Sequence, residues 1–175
     1  VCVKHVPDMQ SERRFEGGRL VRGEDDVLNE LDENAIEAAV QLKESEEDAG
    51  REAEVVALTM GPEDAEDSLM RALQMGADRA YIVSDEFLEG SDVITTASVL
   101  AVAIAKISEE CGPVDLVITG MASLDAMTSM LPGALAAKAH MPLLGLARSL
   151  SVADGAVTIE RAVDGYTETV RAALP

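Results

Sequence analysis

Two patterns of apolar and polar positions alternate along most of the chain. Four short runs are mostly apolar, as expected of strands buried on both faces. These runs cover residues 1–6, 54–60, 79–84 and 115–119. The segments between them repeat apolar residues at helical spacing. These helical segments cover about 33–47, 63–75 and 92–111. The alternation predicts an α/β fold with an open, doubly wound parallel sheet and short connections.

Two regions depart from this alternation. Residues 9–30 are polar and rich in Gly, Arg and Glu, which predicts a hairpin or excursion whose clearest strand is residues 19–22. Near the other end, apolar runs at about 156–163 and 167–173 flank Asp164-Gly165, a dipeptide typical of tight turns. We therefore expect a C-terminal antiparallel hairpin. A further apolar run, residues 143–147, precedes it without a clear assignment.

A loop with small and polar residues follows the fourth predicted strand. The apolar run stops at Gly120, and Ser123 and Asp125 follow as candidate caps for a helix from about Thr128 to about His140. His140, beside Met141-Pro142, reads as the structural end of that helix. Because the carboxyl ends of parallel strands share one edge of a sheet, this loop lies where such folds bind ligands.

A nucleotide pocket is the strongest functional prediction from these strand ends. Residues 6–8 and 59–62 also place Pro and Gly directly after predicted strands, and the loop could offer free N–H groups to a phosphate. The alternative is that these residues serve only turns and helix starts. Neither a Walker A pattern nor GxGxxG is present.

Other residues near these strand ends leave alternatives open. Lys4 and His5 end the first strand, where a positive pair could face a phosphate or a flavin oxygen or could simply be solvated. Met121, Met127 and Met130 occupy the loop, where polar donors are expected of a nucleotide site. No nucleophile with a matching base is recognisable in the sequence.

Charge narrows the classes of partner. The formal net charge is −19, from 33 acidic against 14 basic residues, and only four of the basic residues are Lys. Such a field disfavours nucleic acid and anionic membranes. We hypothesise that the chain comes from a halophile, where salt screens the repulsion of an acidic surface, and the alternative is an ordinary acidic protein.

Cysteine usage and hydropathy predict a cytoplasmic protein without direct membrane insertion. Cys2 and Cys111 form no CxxC pair, so the sequence shows no disulfide framework and no metal-ligand spacing. The longest apolar stretch, residues 93–107, is interrupted by polar residues and is too short to span a bilayer. No signal-peptide pattern is recognisable.

Six segments, taken in order, resemble the β subunit of electron transfer flavoprotein, the family that includes the FixA proteins. They are Val1-Cys-Val-Lys-His-Val-Pro-Asp8, Asn29-Glu-Leu-Asp-Glu33 with the helix ending in Leu-Lys-Glu44, Val55-Val-Ala-Leu-Thr-Met-Gly-Pro62, Ala72-Leu-Gln-Met-Gly-Ala-Asp-Arg79, residues 115–125, and Ile159-Glu-Arg-Ala-Val-Asp-Gly165 with Glu168.

The resemblance implies an electron carrier subunit rather than an enzyme. It implies a heterodimer with an α subunit that holds most of a FAD site. This heterodimer carries electrons from flavin dehydrogenases, such as acyl-CoA dehydrogenases, to a membrane quinone reductase. The β subunit of this family usually holds AMP, and a second FAD in electron-bifurcating members. We expect residues 1–175 to form a single nucleotide-binding α/β domain of the adenine-nucleotide-binding (α-hydrolase-like) kind, with the family's C-terminal partner-binding arm outside it.

The resemblance also implies cofactor-binding positions. They are Cys2, Asn29, Leu31, Asp32, Met60, Gly120, Ser123, Asp125, Thr128, Ser129, Met130 and Leu131. The family loop is richer in Gln and Asp than this one, where Met and Ala replace several polar members. Two alternatives therefore remain: a diverged paralogue that binds no nucleotide, and a nucleotide-binding regulatory protein of the universal-stress kind, although the Gly-Ser loop of that class is missing.

Overall fold

A computed structural model describes residues 1–175 as a mixed α/β fold. The strands are β1 (His5–Pro7), β2 (Phe15–Glu16), β3 (Arg19–Leu20), β4 (Asp26–Leu28), β5 (Val56–Met60), β6 (Arg79–Val83), β7 (Ser149–Ala153), β8 (Ala156–Val163) and β9 (Tyr166–Ala173). The α-helices are α1 (Glu30–Asp48), α2 (Glu66–Gln74), α3 (Val93–Cys111) and α4 (Leu131–Ala139). Two 3₁₀ turns lie at Glu63–Ala65 and Glu86–Leu88. None of the helices combines the length and the hydropathy needed to cross a bilayer.

Parallel strands form the centre of the fold. β5 pairs in parallel with β6, and Cys2 makes parallel bridges to Leu58 on one side and Thr119 on the other. The backbone of the first segment is held at both sides, because the Val3 N–H donates to the Leu58 carbonyl (2.9 Å) and the Cys2 N–H donates to the Ile118 carbonyl (3.0 Å). Residues 115–119, residues 1–3, β5 and β6 therefore lie side by side in that order.

The segment at residues 115–119 differs from its prediction as a strand buried on both faces. It makes one bridge, through Thr119, and none of its residues is buried. The reason is that it has a neighbouring strand on one side only, while its outer edge is unpaired. A run of apolar residues predicts a strand, but it does not predict whether that strand has a neighbouring strand at each edge.

Apolar cores lie on both faces of these strands. Since successive strand residues point to opposite faces, Val3 and Ala57 pack with Ile36 of α1 and Leu69 of α2. The adjacent Cys2 and Leu58 pack instead with α3 and α4, through residues that include Leu100 and Leu135. The helical periodicity of the sequence is thus confirmed by which side of each helix is buried.

The polar excursion folds back onto the end of the first segment. β2 and β3 form the predicted hairpin, and β1 pairs antiparallel with β4 so that His5 lies opposite Leu28. This return brings the arginine-rich residues 13–22 beside the loop that follows Thr119. The excursion therefore contributes to the edge of the fold at which the nucleotide site was predicted.

The predicted C-terminal hairpin is confirmed, and a third strand that was not predicted joins it. β8 and β9 pair antiparallel as predicted, and β7 adds a third strand on the other side of β8. β7 was not predicted, although its alternation of exposed and half-buried residues, with Leu150 and Val152 on one face, is the pattern of a strand with one face packed. Ala156, Val157 and Ile159 of β8 are buried, whereas most of β9 is exposed.

Candidate functional site

The loop at residues 120–130 begins in close contact with the start of α1. A Cβ on Gly120 would lie 2.2 Å from Asp32 Oδ1 and 2.9 Å from the Leu31 carbonyl oxygen. Neither distance is tolerable, so only glycine allows this approach. The sequence-predicted residues Gly120, Leu31 and Asp32 are thereby brought together.

Asn29 holds the first part of the loop through both ends of its side-chain amide. Its Nδ2 donates to the Ala122 carbonyl (2.9 Å), and its Oδ1 accepts from the Leu124 N–H (3.0 Å). Asn29 occupies the N-cap position of α1, yet it makes no side-chain cap there because its amide is committed to the loop. The side chain is fully buried, so the bond to Ala122 lies out of reach of water, whereas the bond from the half-buried Leu124 is only partly shielded.

Asp32 links the first strand to the same loop. Its Oδ2 accepts the Lys4 N–H at 2.8 Å. Burial raises the pKa of Asp32 to about 6, although backbone N–H groups of Lys4 and Gly120 favour the charged form. Burial also raises the pKa of the Cys2 thiol, and the Asp32 charge adds to that effect. Cys2 is therefore an uncharged thiol in the core on the α3 side of the strands.

Asp125 is the second buried carboxylate of the site. Lys4 Nζ donates to Oδ1 (3.0 Å) and Oδ2 (2.8 Å), Arg22 pairs with Oδ2, and Lys4 Nζ also reaches Ser123 Oγ (3.3 Å). Burial alone would raise the pKa of Asp125, but hydrogen bonds from Arg22, Lys4 and Ser123 outweigh it and hold the pKa well below its usual range.

The expected helix start at Thr128, capped by Ser123 or Asp125, is wrong. α4 begins at Leu131, and its N-cap residue makes no side-chain cap. Met127 and Ser129 have φ values of 51° and 52°, which a right-handed helix does not admit. Ser123 and Asp125 cannot serve as caps because their side chains bind Lys4, and the Ser123 carbonyl accepts the N–H groups of the next turn, at positions 126 and 127.

The second part of the loop offers free donors. The backbone N–H groups of Thr128, Ser129 and Met130 donate no hydrogen bond within the chain, and all three residues are exposed. Backbone N–H groups in a row are a common means of holding phosphate oxygens. Met121 and Met127 are also more than half exposed. Leu131, at the start of α4, is half-buried and packs against the α3 side of the fold.

Residues near the ends of β5 and of the first strand were also expected at the site. Met60 ends β5 and is half-buried on the α3 side of the strands. Its neighbour Thr59 is fully buried, and its hydroxyl is the one buried side-chain oxygen or nitrogen without a hydrogen-bond partner. His5 does not join Lys4 at the loop, because its ring lies buried and its Nδ1 meets Ser68 Oγ at 2.7 Å. The interpretation of Lys4 and His5 as a positive pair is therefore wrong, and the alternative of simple solvation is also wrong for His5.

The sequence did not predict the two arginines at this site. Arg22 binds Asp125, and Arg13 donates to the Leu124 carbonyl at 3.3 Å. Their only signal in the sequence is the cluster of arginines in the excursion at residues 9–30. His140, in contrast, ends α4 as predicted, with a left-handed φ of 54° and its N–H bonded to the Ala136 carbonyl.

Comparisons with known proteins agree with the resemblance noted in the sequence. The family profile described as "Electron transfer flavoprotein domain" matches residues 18–175. Electron transfer flavoprotein subunit beta of Mycobacterium tuberculosis (strain ATCC 25618 / H37Rv) is 38% identical over 178 residues, covering 100% of this chain and 65% of that protein. Protein FixA of Azorhizobium caulinodans is 35% identical over 180 residues, covering 100% of this chain and 62% of that protein. The chain thus spans just under two thirds of the length of these curated relatives.

Proposed function

The chain belongs to the electron transfer flavoprotein domain family, and on that premise we propose that it is the β subunit of a two-subunit electron carrier. The proposal rests on relatives named subunit beta and FixA that match the whole chain. In this role the subunit performs no covalent chemistry of its own. It binds and orients groups around a flavin, which supplies the redox chemistry when bound.

A nucleotide, AMP or a second FAD, is proposed to bind at the loop of residues 120–130. The observation that carries this proposal is the row of three exposed N–H groups at Thr128, Ser129 and Met130, which have no acceptor within the chain. A phosphate fits such donors. In this proposal Asn29, Asp32 and Gly120 fix the loop, and the remaining positions line the nucleotide. Those positions are Cys2, Leu31, Met60, Ser123, Asp125 and Leu131.

The finer fold assignment supports the same location. We propose that residues 115–119, residues 1–3, β5 and β6 form a doubly wound parallel sheet, because apolar cores with different helices lie on its two faces. In such a sheet the order in which successive strands are added reverses between residues 1–3 and residues 115–119, and ligands bind beyond the carboxyl ends of the strands at that point. The loop at residues 120–130 occupies that position.

Pairing with an α subunit is proposed to cover apolar surface that this chain leaves exposed. Leu143, Leu146 and Tyr166 are 54%, 65% and 76% exposed. They lie in the segment before β7 and in the C-terminal sheet, where we expect the partner. In this arrangement the α subunit holds most of the FAD, and electrons pass from flavin dehydrogenases, such as acyl-CoA dehydrogenases, toward a membrane quinone reductase.

We propose a cytoplasmic location and a salt-rich cell for this subunit. The support is the net charge of −19 with only four Lys, since a field of that size destabilises a compact state unless salt screens it. The folded fraction should therefore rise between low and molar salt. An unchanged folded fraction would contradict the halophilic origin without affecting the proposal of an electron carrier.

A second candidate keeps the fold and the α partner but binds no nucleotide. The exposure of Met121, Met127 and Met130 favours it, because thioethers replace side chains that could hydrogen-bond a ligand. Backbone N–H groups do not depend on side-chain identity, so we retain nucleotide binding as the first candidate. The family match counts against the universal-stress alternative.

Nucleotide content tests the proposal. The full-length protein is co-expressed with its adjacent α-like partner in high salt, and the purified complex is denatured to release bound nucleotides. Mass spectrometry and a visible spectrum then identify them. One FAD with one AMP is the result expected of the ordinary carrier, and two FAD would indicate bifurcation. FAD alone would replace the first candidate with the second, and failure to co-purify with the partner would contradict the β-subunit assignment.

A further inference from the structure

Exposed methionine side chains are concentrated on the loop at residues 120–130. Five of the eight methionines of the chain are more than half exposed, and three of these five lie within ten residues, at Met121, Met127 and Met130. The other two, Met9 and Met70, lie singly in the excursion and on α2. We call Met121, Met127 and Met130 the loop methionines.

The loop methionines take no part in either apolar core. Met60 and Met75 pack against the two cores, whereas none of the loop methionines does. Methionine usually serves a protein by filling irregular gaps in such cores, and its thioether is only a weak hydrogen-bond acceptor. A chemical change at the sulfur atoms of the loop methionines would therefore leave the packing of the fold intact.

Exposed thioethers react with hydroperoxides. Hydrogen peroxide transfers one oxygen atom to the sulfur, so that an S–O bond forms, the O–O bond breaks and water leaves. The sulfur is oxidised by two electrons and the peroxide is reduced by two. The product, methionine sulfoxide, is polar and is returned to methionine by two types of reductase. The loop methionines are open to this reaction in the folded protein.

A sulfoxide in this loop would have hydrogen-bond donors within reach. The backbone N–H groups of Thr128 and Ser129, which lie between Met127 and Met130, donate no hydrogen bond within the chain. A sulfoxide oxygen accepts hydrogen bonds well, unlike a thioether sulfur. The three rotatable bonds of the side chain let its end turn back to the neighbouring backbone. Oxidised loop methionines can therefore bind N–H groups that the thioethers leave free.

We propose that the loop methionines are a modification site at which oxidation to sulfoxide turns nucleotide binding off. In the reduced protein the N–H groups of the loop are open to a ligand, and after oxidation the sulfoxide oxygens occupy them. Unlike the amide of a glutamine, a sulfoxide carries no N–H, so it competes with the oxygens of an anionic ligand and cannot bind them. This role rests on the proposed nucleotide site at the same loop.

Titration of the full-length protein with AMP before and after oxidation tests this proposal. Dilute hydrogen peroxide is the oxidant, peptide mass spectrometry measures sulfoxide at each methionine, and calorimetry at fixed salt measures the affinity for AMP. The test variant combines Met121→Leu, Met127→Leu and Met130→Leu, which keep the volume of the side chains but cannot form a sulfoxide. Met70→Leu is the matched control, because Met70 is equally exposed. Each protein is compared with itself before oxidation.

Oxidation should weaken AMP binding about fivefold in the unaltered protein and in Met70→Leu, which corresponds to the loss of one neutral hydrogen bond. Methionine sulfoxide reductases of both types should restore the affinity, and the triple variant should keep its own affinity after the same treatment. The N–H signals of Thr128 and Ser129 should shift on oxidation without any ligand. The free energy of unfolding should stay unchanged, because the loop methionines lie outside the cores.

Four results would overturn the proposal in distinguishable ways. If the loop methionines are oxidised and the affinity for AMP is unchanged, the switch is absent and the nucleotide site stands. If the triple variant loses as much affinity as the unaltered protein, the sensitive group lies elsewhere. If affinity falls together with the free energy of unfolding, oxidation disrupts the fold and does not act through the free N–H groups. If the unaltered protein binds no AMP before oxidation, the proposed nucleotide site fails together with the switch.

Discussion

The two halves of the loop after Thr119 are built differently. Residues 120–125 are held by the buried amide of Asn29, by close contact with Asp32 and by ion pairs of Asp125. Residues 126–130 are all exposed and include two left-handed residues, and their N–H groups bond to the chain only through a turn onto the Ser123 carbonyl. The inner half is therefore fixed by the fold, and the outer half presents donors.

This difference separates the energetics of folding from those of binding. A ligand that meets an already ordered inner half does not have to order that half itself, so less of its interaction energy is lost to conformational entropy. Substitutions in the inner half should change the stability of the protein, and substitutions in the outer half should change ligand binding. The predictions below test that division, from the largest effect to the smallest.

Asn29→Ala should have the largest effect. It removes the partners of the buried Ala122 carbonyl and of the half-buried Leu124 N–H, which should lower the free energy of unfolding by about 4 kcal/mol. Chemical denaturation at fixed salt measures the change. Exposed Gln10→Ala, with no side-chain hydrogen bond in the structure, serves as the control. A loss below about 1 kcal/mol would mean that the inner half is not fixed by this residue.

Asp32 should give the protein an unusual dependence on pH. Its pKa is raised to about 6 in the folded state from an ordinary value near 3.8, so folding favours the protonated form. Its contribution to stability is therefore fully present below about pH 4 and is lost as the pH rises through 6, by about 3 kcal/mol in total. Asp125 acts in the opposite direction, because its pKa is lowered in the folded state. Its contribution to stability is present at pH values above the ordinary pKa of an aspartate and is lost as the pH falls below that pKa.

The variant Asp32→Asn isolates this contribution. The free energy of unfolding, measured from pH 4 to pH 7 at constant salt, should decline less steeply in the variant than in the unaltered protein. Asp115→Asn, which changes an exposed carboxylate, should leave the slope unchanged. Identical slopes in all three proteins would show that Asp32 does not titrate in this range.

Gly120→Ala should destabilise the inner half by steric overlap. The added methyl group would meet Asp32 and the Leu31 backbone, so the chain must shift, at a cost of about 2 kcal/mol. Gly145→Ala is the matched control, because nothing lies within 4 Å of a Cβ there and its φ is not positive. Equal effects of the two substitutions on the thermal midpoint would contradict the close contact of the loop with α1.

Met127→Gln with Met130→Gln should have the smallest effect on stability. Both side chains are more than half exposed, so the free energy of unfolding should change by less than about 0.5 kcal/mol. The affinity for AMP, by contrast, should rise, because the new amides add polar contacts. A large loss of stability with unchanged AMP affinity would reverse the division between the two halves.

The sequence predicts those parts of the fold that depend on local pattern. The helices α1, α2 and α3 and the parallel pair β5 and β6 follow from periodicity, because each buries an apolar face that the sequence records. β7 was not predicted, although Leu150 and Val152 alternate with smaller residues, because two large apolar side chains in five residues are a weak signal. The start of α4 was misplaced, because Ser123 and Asp125 form tertiary contacts that compete with capping.

The loop at residues 120–130 was predictable in position, and its contacts were not. The change from an apolar run to Gly120 identifies the loop, since strand ends and glycines are visible in the sequence. The partners Arg13 and Arg22 lie about a hundred residues away from the loop in sequence, within a polar segment whose folding depends on the pairing of β1 with β4. A single sequence carries no signal for such long-range polar contacts.

Amide chemical shifts of the full-length protein during titration with AMP test the central claim most directly. The claim predicts that the N–H signals of Thr128, Ser129 and Met130 shift with AMP, while the signal of Leu124, already bonded to Asn29, stays in place. Movement confined to Leu124 and its neighbours, with the outer signals unchanged, would contradict the division of the loop into a fixed inner half and a binding outer half.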